Sequence, residues 1–79
     1  MFNATFYGAE SGVGKQSGRS WFKISLAAET TVGGIRLLEV FCTENAFRTA
    51  QTLDLQQPCH VLCGVDSRGN LCINALKGV

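Results

Sequence analysis

The chain has 79 residues and the composition of one small folded domain. Hydrophobic residues make up 46% of it and charged residues 16%, with a formal net charge of +1. A disordered segment would need lower hydrophobicity and more charge, and no apolar run approaches the ~20 residues that cross a bilayer. The first residues do not form a secretory signal, so we expect a cytoplasmic protein that does not contact a membrane.

The four cysteines raise the question of a metal or a disulfide. Cys59 and Cys63 have a spacing found in zinc sites, but they lie in an apolar run and no second such pair follows. In a cytoplasmic chain, reduced cysteines commonly act as small core hydrophobes. We therefore predict free, reduced thiols and no cofactor, with zinc and a disulfide as the alternatives.

The N-terminal third predicts two strands joined by a flexible loop. Residues 1–8 alternate, with Phe2 and Phe6 on an apolar face and Tyr7 on the other. Residues 9–19 are rich in glycine and serine, which predicts a long loop. Residues 20–29 alternate again, and this places Trp21 and Lys23 on the face opposite Phe22, Ile24 and Leu26.

The remainder predicts a strand, a helix and two more strands. Residues 35–42 are apolar on both faces, with the face of Glu39 and Phe41 expected to be the wetter one. Residues 43–53 change to helical spacing, with Thr43 as a suitable N-cap. Strands are predicted at 59–65 and 71–76, separated by a tight turn at 66–70.

The predicted order of elements is three strands, one helix and two strands. An OB-fold is a five-stranded Greek-key barrel that binds oligonucleotides on the face of its second and third strands and at its first and fourth loops. Closing a barrel also leaves few exposed strand edges. We therefore predict a mainly β fold: one OB-fold domain spanning residues 1–79, with a short helix between strands three and four.

Four stretches carry a resemblance to a known family. Residues 17–26 (SGRSWFKISL) resemble the second strand of small phage and bacterial single-stranded DNA-binding proteins. Residues 46–53 (AFRTAQTL) and 59–65 (CHVLCGV) are similar to the helix and fourth strand of the bacterial proteins. Residues 69–76 (GNLCINAL) resemble the last strand of the filamentous-phage version. The acidic tail that cellular members use to recruit partners is missing from this sequence.

The resemblance implies a non-catalytic protein that coats single-stranded DNA during replication or recombination of a phage or mobile element. A sequence-tolerant binder of this kind needs aromatic platforms and scattered cations. The polar strand faces and the first loop supply both, so we predict a DNA-binding set without metal or catalytic residues. Its members are Tyr7, Lys15, Arg19, Trp21, Lys23, Arg36 and Phe41.

Each predicted site residue also has a structural alternative. Trp21 could cap one end of the barrel, Tyr7 could contact another subunit, and Phe41 could belong to the core or to a dimer interface. The four cations could be ordinary solvated charges. The apolar face of the third strand favours self-association, most simply as a twofold homodimer.

Other functions remain open at this point. The same aromatic face would suit a protein-interaction or structural subunit, and stacking platforms do not distinguish DNA from RNA. An enzyme is not indicated, and neither is a small-molecule substrate. Residues 9–16 (AESGVGKQ) approach the phosphate-binding loop pattern, but Ala9 and Gln16 replace two of its required residues. The lone histidine, His60, has no companion residues and reads as a half-exposed strand residue.

Overall fold

The structure, a computed structural model, describes residues 2–79, which form five β-strands and one α-helix. The elements are β1 (Phe2–Val13), β2 (Ser20–Glu29), β3 (Ile35–Phe41), α1 (Glu44–Ala50), β4 (Pro58–Val65) and β5 (Leu71–Gly78). The prediction of a mainly β chain with one short helix between the third and fourth strands is confirmed. No helix within these residues is long and apolar enough to cross a membrane.

The strands form one open antiparallel sheet in the order β3-β2-β1-β4-β5. In the part of the chain described, the two edge strands meet at one isolated parallel bridge, between Cys42 and Ile73. Beside it, the N–H of Thr43 donates to the C=O of Ile73 at 3.0 Å. The sheet is therefore not closed into the barrel expected from the sequence, because the chain turns into α1 directly after this bridge.

The first hairpin is longer than predicted, and the predicted loop is correspondingly shorter. β1 continues through residues 9–13, which the sequence assigned to the loop, and pairs with β2 up to Val13 opposite Ser20. Glycine makes this extension possible. The register shifts between Phe6 and Gly8, and Gly8 adopts a φ of 143°, a conformation that side-chain-bearing residues rarely adopt.

The core lies between the inner face of the sheet and the apolar face of α1. Ile24 and Leu26 of β2 are fully buried, and the Phe22 and Phe47 rings pack with centroids 5.0 Å apart. Burying side chains of this size contributes about 1.5–3 kcal/mol each. The alternation placed Phe2 on the same apolar face as Phe6, but only Phe6 is buried; Phe2 is 37% exposed, because it begins the first strand.

The helix is shorter than the 43–53 interval predicted. Thr43 is its N-cap, as expected, and its hydroxyl accepts from the N–H of Ala46 at 3.2 Å. The helix ends at Ala50, where the N–H of Leu53 bonds back to the Ala50 carbonyl across a tighter turn. Arg48 and Glu44 form a surface ion pair one turn apart.

The two faces of β3 differ in burial at the C-terminal end of the strand. Val40 is half-buried and the adjoining Cys42 is buried, whereas Leu37, Glu39 and Phe41 are exposed. The wetter face is thus the one that carries Glu39, as predicted. All four cysteines are free; Cys63 is half-buried, and Cys42, Cys59 and Cys72 are buried.

Candidate nucleic-acid interface

The outer face of β2 and β3 carries a compact aromatic and cationic cluster formed by Trp21, Lys23 and Phe41. Lys23 lies directly opposite Phe41 in the β2–β3 ladder. Its Nζ is 5.3 Å from the Trp21 ring centroid and 5.0 Å from the Phe41 ring centroid. Both distances are in the range of cation–π attraction. The ladder therefore brings together three of the seven predicted site residues.

The Trp21 indole packs against the backbone of Gly12 in β1. The two residues are directly opposite each other in the β1–β2 ladder. A Cβ placed on Gly12 would be 2.7 Å from Cε2 and 3.1 Å from Nε1 of the indole. The ring consequently lies against bare backbone, which holds one of its sides and leaves Trp21 half-buried.

An open groove of about 640 Å³ runs beside this cluster, between the β1–β2 turn and the β4–β5 turn. Trp21, Lys23 and Phe41 contribute to its wall from the strands. Arg19 lines it from the first turn and Arg68 from the second. Two turns that are distant in sequence thus place a guanidinium each at the edges of an aromatic surface.

The charge of the groove is positive, since three cations and one carboxylate line it. The carboxylate, Asp66, is engaged by its own turn: Oδ1 accepts from the N–H groups of Arg68 and Asn70, each at 2.9 Å. Glu10 lies outside the groove, opposite Lys23 on β1. An anionic ligand would meet the guanidinium groups at the two turns and the ammonium group between the rings.

Lys15 is exposed in the turn that closes the first hairpin, next to Gly14, which lines the groove. The N–H of Gly14 donates to the carbonyl of Arg19, and the N–H of Gly18 donates to the carbonyl of Gly14, both at 2.9 Å. Gly18 has a φ of 66°, which suits glycine at this tight point. Lys15 is therefore near the groove without forming its wall.

Tyr7 and Arg36, the other two predicted residues, lie away from the cluster. Arg36 is opposite Ala28, five residues before Phe41 on β3, or about 17 Å along the strand. Because five is an odd number, Arg36 is also on the other face of that strand. Tyr7 lies in the bulge of β1 and lines a second groove of about 600 Å³.

The second groove has nearly the same volume but a different chemistry. Its lining includes the acidic residue Glu29 and contains no lysine or arginine. Of the two grooves, only the one beside Trp21 combines aromatic rings with positive charge. We therefore take that groove as the candidate site.

The thiols that border the groove are protonated at neutral pH. Burial raises the pKa of Cys42 to about 11, and the neighbouring Cys72 adds to the effect. Burial likewise raises the pKa of Cys72, with Asp66 and Cys63 contributing. Among residues 2–79 no three histidine, cysteine or acidic side chains converge on one point, and His60 is half-buried on β4. The groove offers stacking surfaces and fixed cations.

Two residues of the site were not among the predicted seven. Arg68 could have been included from its place in a turn signature that leads into the last strand of an OB-type order. Gly12 had no signal in the sequence, because its role depends on the register that sets it opposite Trp21.

Comparisons of the chain with protein-family models, with curated proteins and with solved structures gave no match.

Proposed function

We propose that this protein binds single-stranded DNA with little sequence preference, as a non-catalytic module built on an OB-type, partly open barrel. Three features support the fold: the strand order, the helix between β3 and β4, and the bridge that joins the β3 and β5 edges. OB-folds bind oligonucleotides on the face of strands two and three and at the first and fourth loops. The candidate groove occupies that face, between those loops.

The observation that carries the proposal is the cluster of Trp21, Lys23 and Phe41. The two rings stand on neighbouring strands at diagonal positions, which places their Cα atoms about 7–8 Å apart. Each ring offers a face to one base, and stacking contributes about 1–3 kcal/mol per base whatever the base is. Duplex DNA hides its base faces, so this arrangement selects unpaired strands.

The cations act on the phosphates. Arg19 and Arg68 flank the groove from its two turns, and Lys23 lies between the rings. Each phosphate contact contributes about −0.7 to the slope of log affinity against log salt concentration, so three contacts give a slope of about −2. Affinity should then fall about 20-fold between 50 and 200 mM salt. In the proposed role the protein covers exposed single strands during replication or recombination of a phage or mobile element, without a cofactor.

Fluorescence tests the proposal directly, because Trp21 is the only tryptophan in the chain. We expect oligo-dT to quench its emission saturably and salt to weaken the binding. With a labelled oligomer followed by anisotropy, Trp21→Ala should weaken binding by about 5- to 150-fold, the equivalent of one stacked base.

A matched pair of arginine variants separates the groove from general charge. Arg68 lines the groove, whereas Arg48 pairs with Glu44 on α1, outside it. We expect Arg68→Ala to weaken binding and to lower the salt slope by about 0.7, and Arg48→Ala to leave both unchanged. Equal effects of the two variants would contradict the groove assignment.

Two further outcomes of these titrations are informative. The absence of both quenching and anisotropy change at tens of micromolar protein would overturn the DNA-binding proposal and favour a protein contact on this face. Tighter binding of a matched RNA oligomer than of DNA would overturn the choice of DNA, because the stacking surfaces alone do not read the 2′-hydroxyl.

A further inference from the structure

The outer edge of β3 carries a run of main-chain groups that do not bond to β2. The N–H of Cys42 donates to the Phe22 carbonyl at 2.9 Å, which makes these two residues a hydrogen-bonded pair of the antiparallel ladder. Such pairs alternate along a ladder, and the β2–β3 register is continuous. The N–H and C=O groups of Ile35, Leu37 and Glu39 therefore point away from β2.

These groups lack an internal partner, and apolar side chains accompany them. Within residues 2–79 no main-chain hydrogen bond from a loop, turn or cap reaches Ile35, Leu37 or Glu39. The side chains of Ile35 and Leu37 are 78% and 72% exposed. The strand contains no proline, a residue that commonly protects an edge from pairing, and its charged residues are Arg36 and Glu39. A long exposed edge of this kind is a template for another strand.

The opposite edge of the sheet is not equally open. The hydroxyl of Thr43 donates to the Asn74 carbonyl of β5 at 3.4 Å, and a Cβ on Gly78 would be 2.8 Å from Cδ2 of Leu53. α1 and the turn after it thus cover β5. Of the two outer edges, the β3 edge is thus the more open, and an edge that pairs with the same edge of a copy forms a closed pair and does not extend into a fibre.

We infer that a second copy of this chain occupies the β3 edge, so that two sheets join into one continuous sheet about a twofold axis at Leu37. In an antiparallel pairing centred there, Leu37 faces the partner's Leu37, and Ile35 faces the partner's Glu39. Each of these pairs exchanges two hydrogen bonds, and all the outward N–H and C=O groups of the three residues are satisfied. The Leu37 side chains of the two copies, each 72% exposed in the single chain, meet at the axis.

Registers centred further towards the C-terminal end of β3 are less favourable. An axis at Leu38 would place Ile35 opposite the partner's Phe41, where β5 already approaches through the Cys42–Ile73 bridge. An axis at Glu39 would set two carboxylates directly opposite each other, which is destabilising. Interfaces built on one short strand are small, below about 1,200 Å², and form weak, concentration-dependent dimers.

The geometry has a consequence that rests on the proposed function. An axis perpendicular to the sheet keeps the outer faces of both copies on the same side. The two clusters of Trp21, Lys23 and Phe41 then face one strand of DNA together, and binding at one site favours binding at the other. Dimerisation itself does not require DNA, so it is tested without it.

Sedimentation of the DNA-free protein over a wide concentration range is the first test. We expect the mass to rise from 8.5 kDa towards twice that value. Leu37→Lys should weaken association at least tenfold, while Leu55→Lys, at a site that is 70% exposed and outside the strand, should leave it unchanged. A mass that stays monomeric up to millimolar protein, or a dimer indifferent to Leu37→Lys, would overturn the inference.

Cross-linking tests the register. In the proposed dimer, residues 35 and 39 of different copies are directly opposed at about 5.5 Å between Cα atoms, within reach of a disulfide. The same two positions within one chain are about 13 Å apart, too far to bridge. We expect Ile35→Cys combined with Glu39→Cys to give an oxidised dimer, and Ile35→Cys alone to match the wild-type background from the native cysteines. Equal cross-linking by the single and double variants would refute the register.

The variants also separate this inference from the proposed function. If the Leu37→Lys protein is monomeric and a short oligo-dT still quenches its Trp21 emission, the DNA site is supported and the dimer is not needed for it. If the wild-type protein dimerises but does not bind oligo-dT, the dimer is supported and the proposed DNA site is refuted.

Discussion

Gly12→Ala is the sharpest available test of the Trp21 platform, because it adds one methyl group beneath the indole. That Cβ would be 2.7 Å from Cε2 of Trp21. Ordinary carbon–carbon contacts begin near 3.5 Å, so the ring must retreat by at least ~0.8 Å. The indole is half-buried, so it can move outwards while the hairpin remains paired.

The expected loss of DNA affinity follows from the contacts that the displaced indole ring loses. Losing the contact with Lys23 removes about 0.5–1 kcal/mol, and a misplaced platform loses part of the 1–3 kcal/mol of one stacked base. We expect oligo-dT affinity to fall by about 5- to 30-fold, or about 1–2 kcal/mol. The free energy of unfolding should change by less than about 1 kcal/mol, because alanine is better than glycine in a strand and offsets the lost packing.

The assay combines the emission spectrum of Trp21, an oligo-dT titration and a thermal melt. Gly34→Ala is the matched control, since the nearest atom to its added Cβ is Oγ1 of Thr30 at 3.9 Å, an ordinary contact. Unchanged emission and affinity in Gly12→Ala would refute the placement of the indole on Gly12. A shifted emission spectrum with unchanged affinity would refute the role of the indole in stacking.

Three further predictions concern stability. Asp66→Ala removes the acceptor of two turn hydrogen bonds and should lower the free energy of unfolding by about 1–2 kcal/mol, or about 4–16 °C in Tm by calorimetry. Thr43→Ala removes the cap that accepts from Ala46 and should cost about 1 kcal/mol in a denaturant titration, whereas Thr43→Ser should retain most of it. Burial raises the pKa of Cys42 from 9.0 to about 11, so the stability that this protonated thiol contributes is complete below pH 9 and is lost as the pH rises towards 11. Cys42→Ala should therefore flatten the fall in the free energy of unfolding between pH 9 and pH 11. An unchanged fall would count against the raised pKa of this thiol.

The strand periodicity was sufficient to predict the elements and one part of the site. Alternation over Ser20–Glu29 identified β2 with its observed bounds and placed Trp21 and Lys23 on its outer face. The reason is that a half-buried strand exposes alternate side chains, and this pattern is visible in the sequence. The change to helical spacing after Thr43 identified α1, although its C-terminal end was predicted too late.

Glycine-rich segments were harder to interpret. Residues 9–13 have the composition of a loop, yet they continue β1, because Gly8 allows a bulge and Gly12 accepts the indole above it. Both functions depend on the neighbouring strand. Composition alone cannot separate a glycine that ends a strand from one that makes room for a partner.

By itself, the sequence determined which residues alternate, where the helix is capped and that Trp21 and Phe41 lie on the outer strand faces, because these are local properties of the chain. Only the tertiary structure decided which of those side chains meet. Phe41 joins Lys23 through the β2–β3 register, and Arg68 reaches the same groove through the β4–β5 turn. Tyr7 and Arg36, equally plausible in sequence, lie elsewhere, because a register sets neighbours across strands and a one-residue step changes the face.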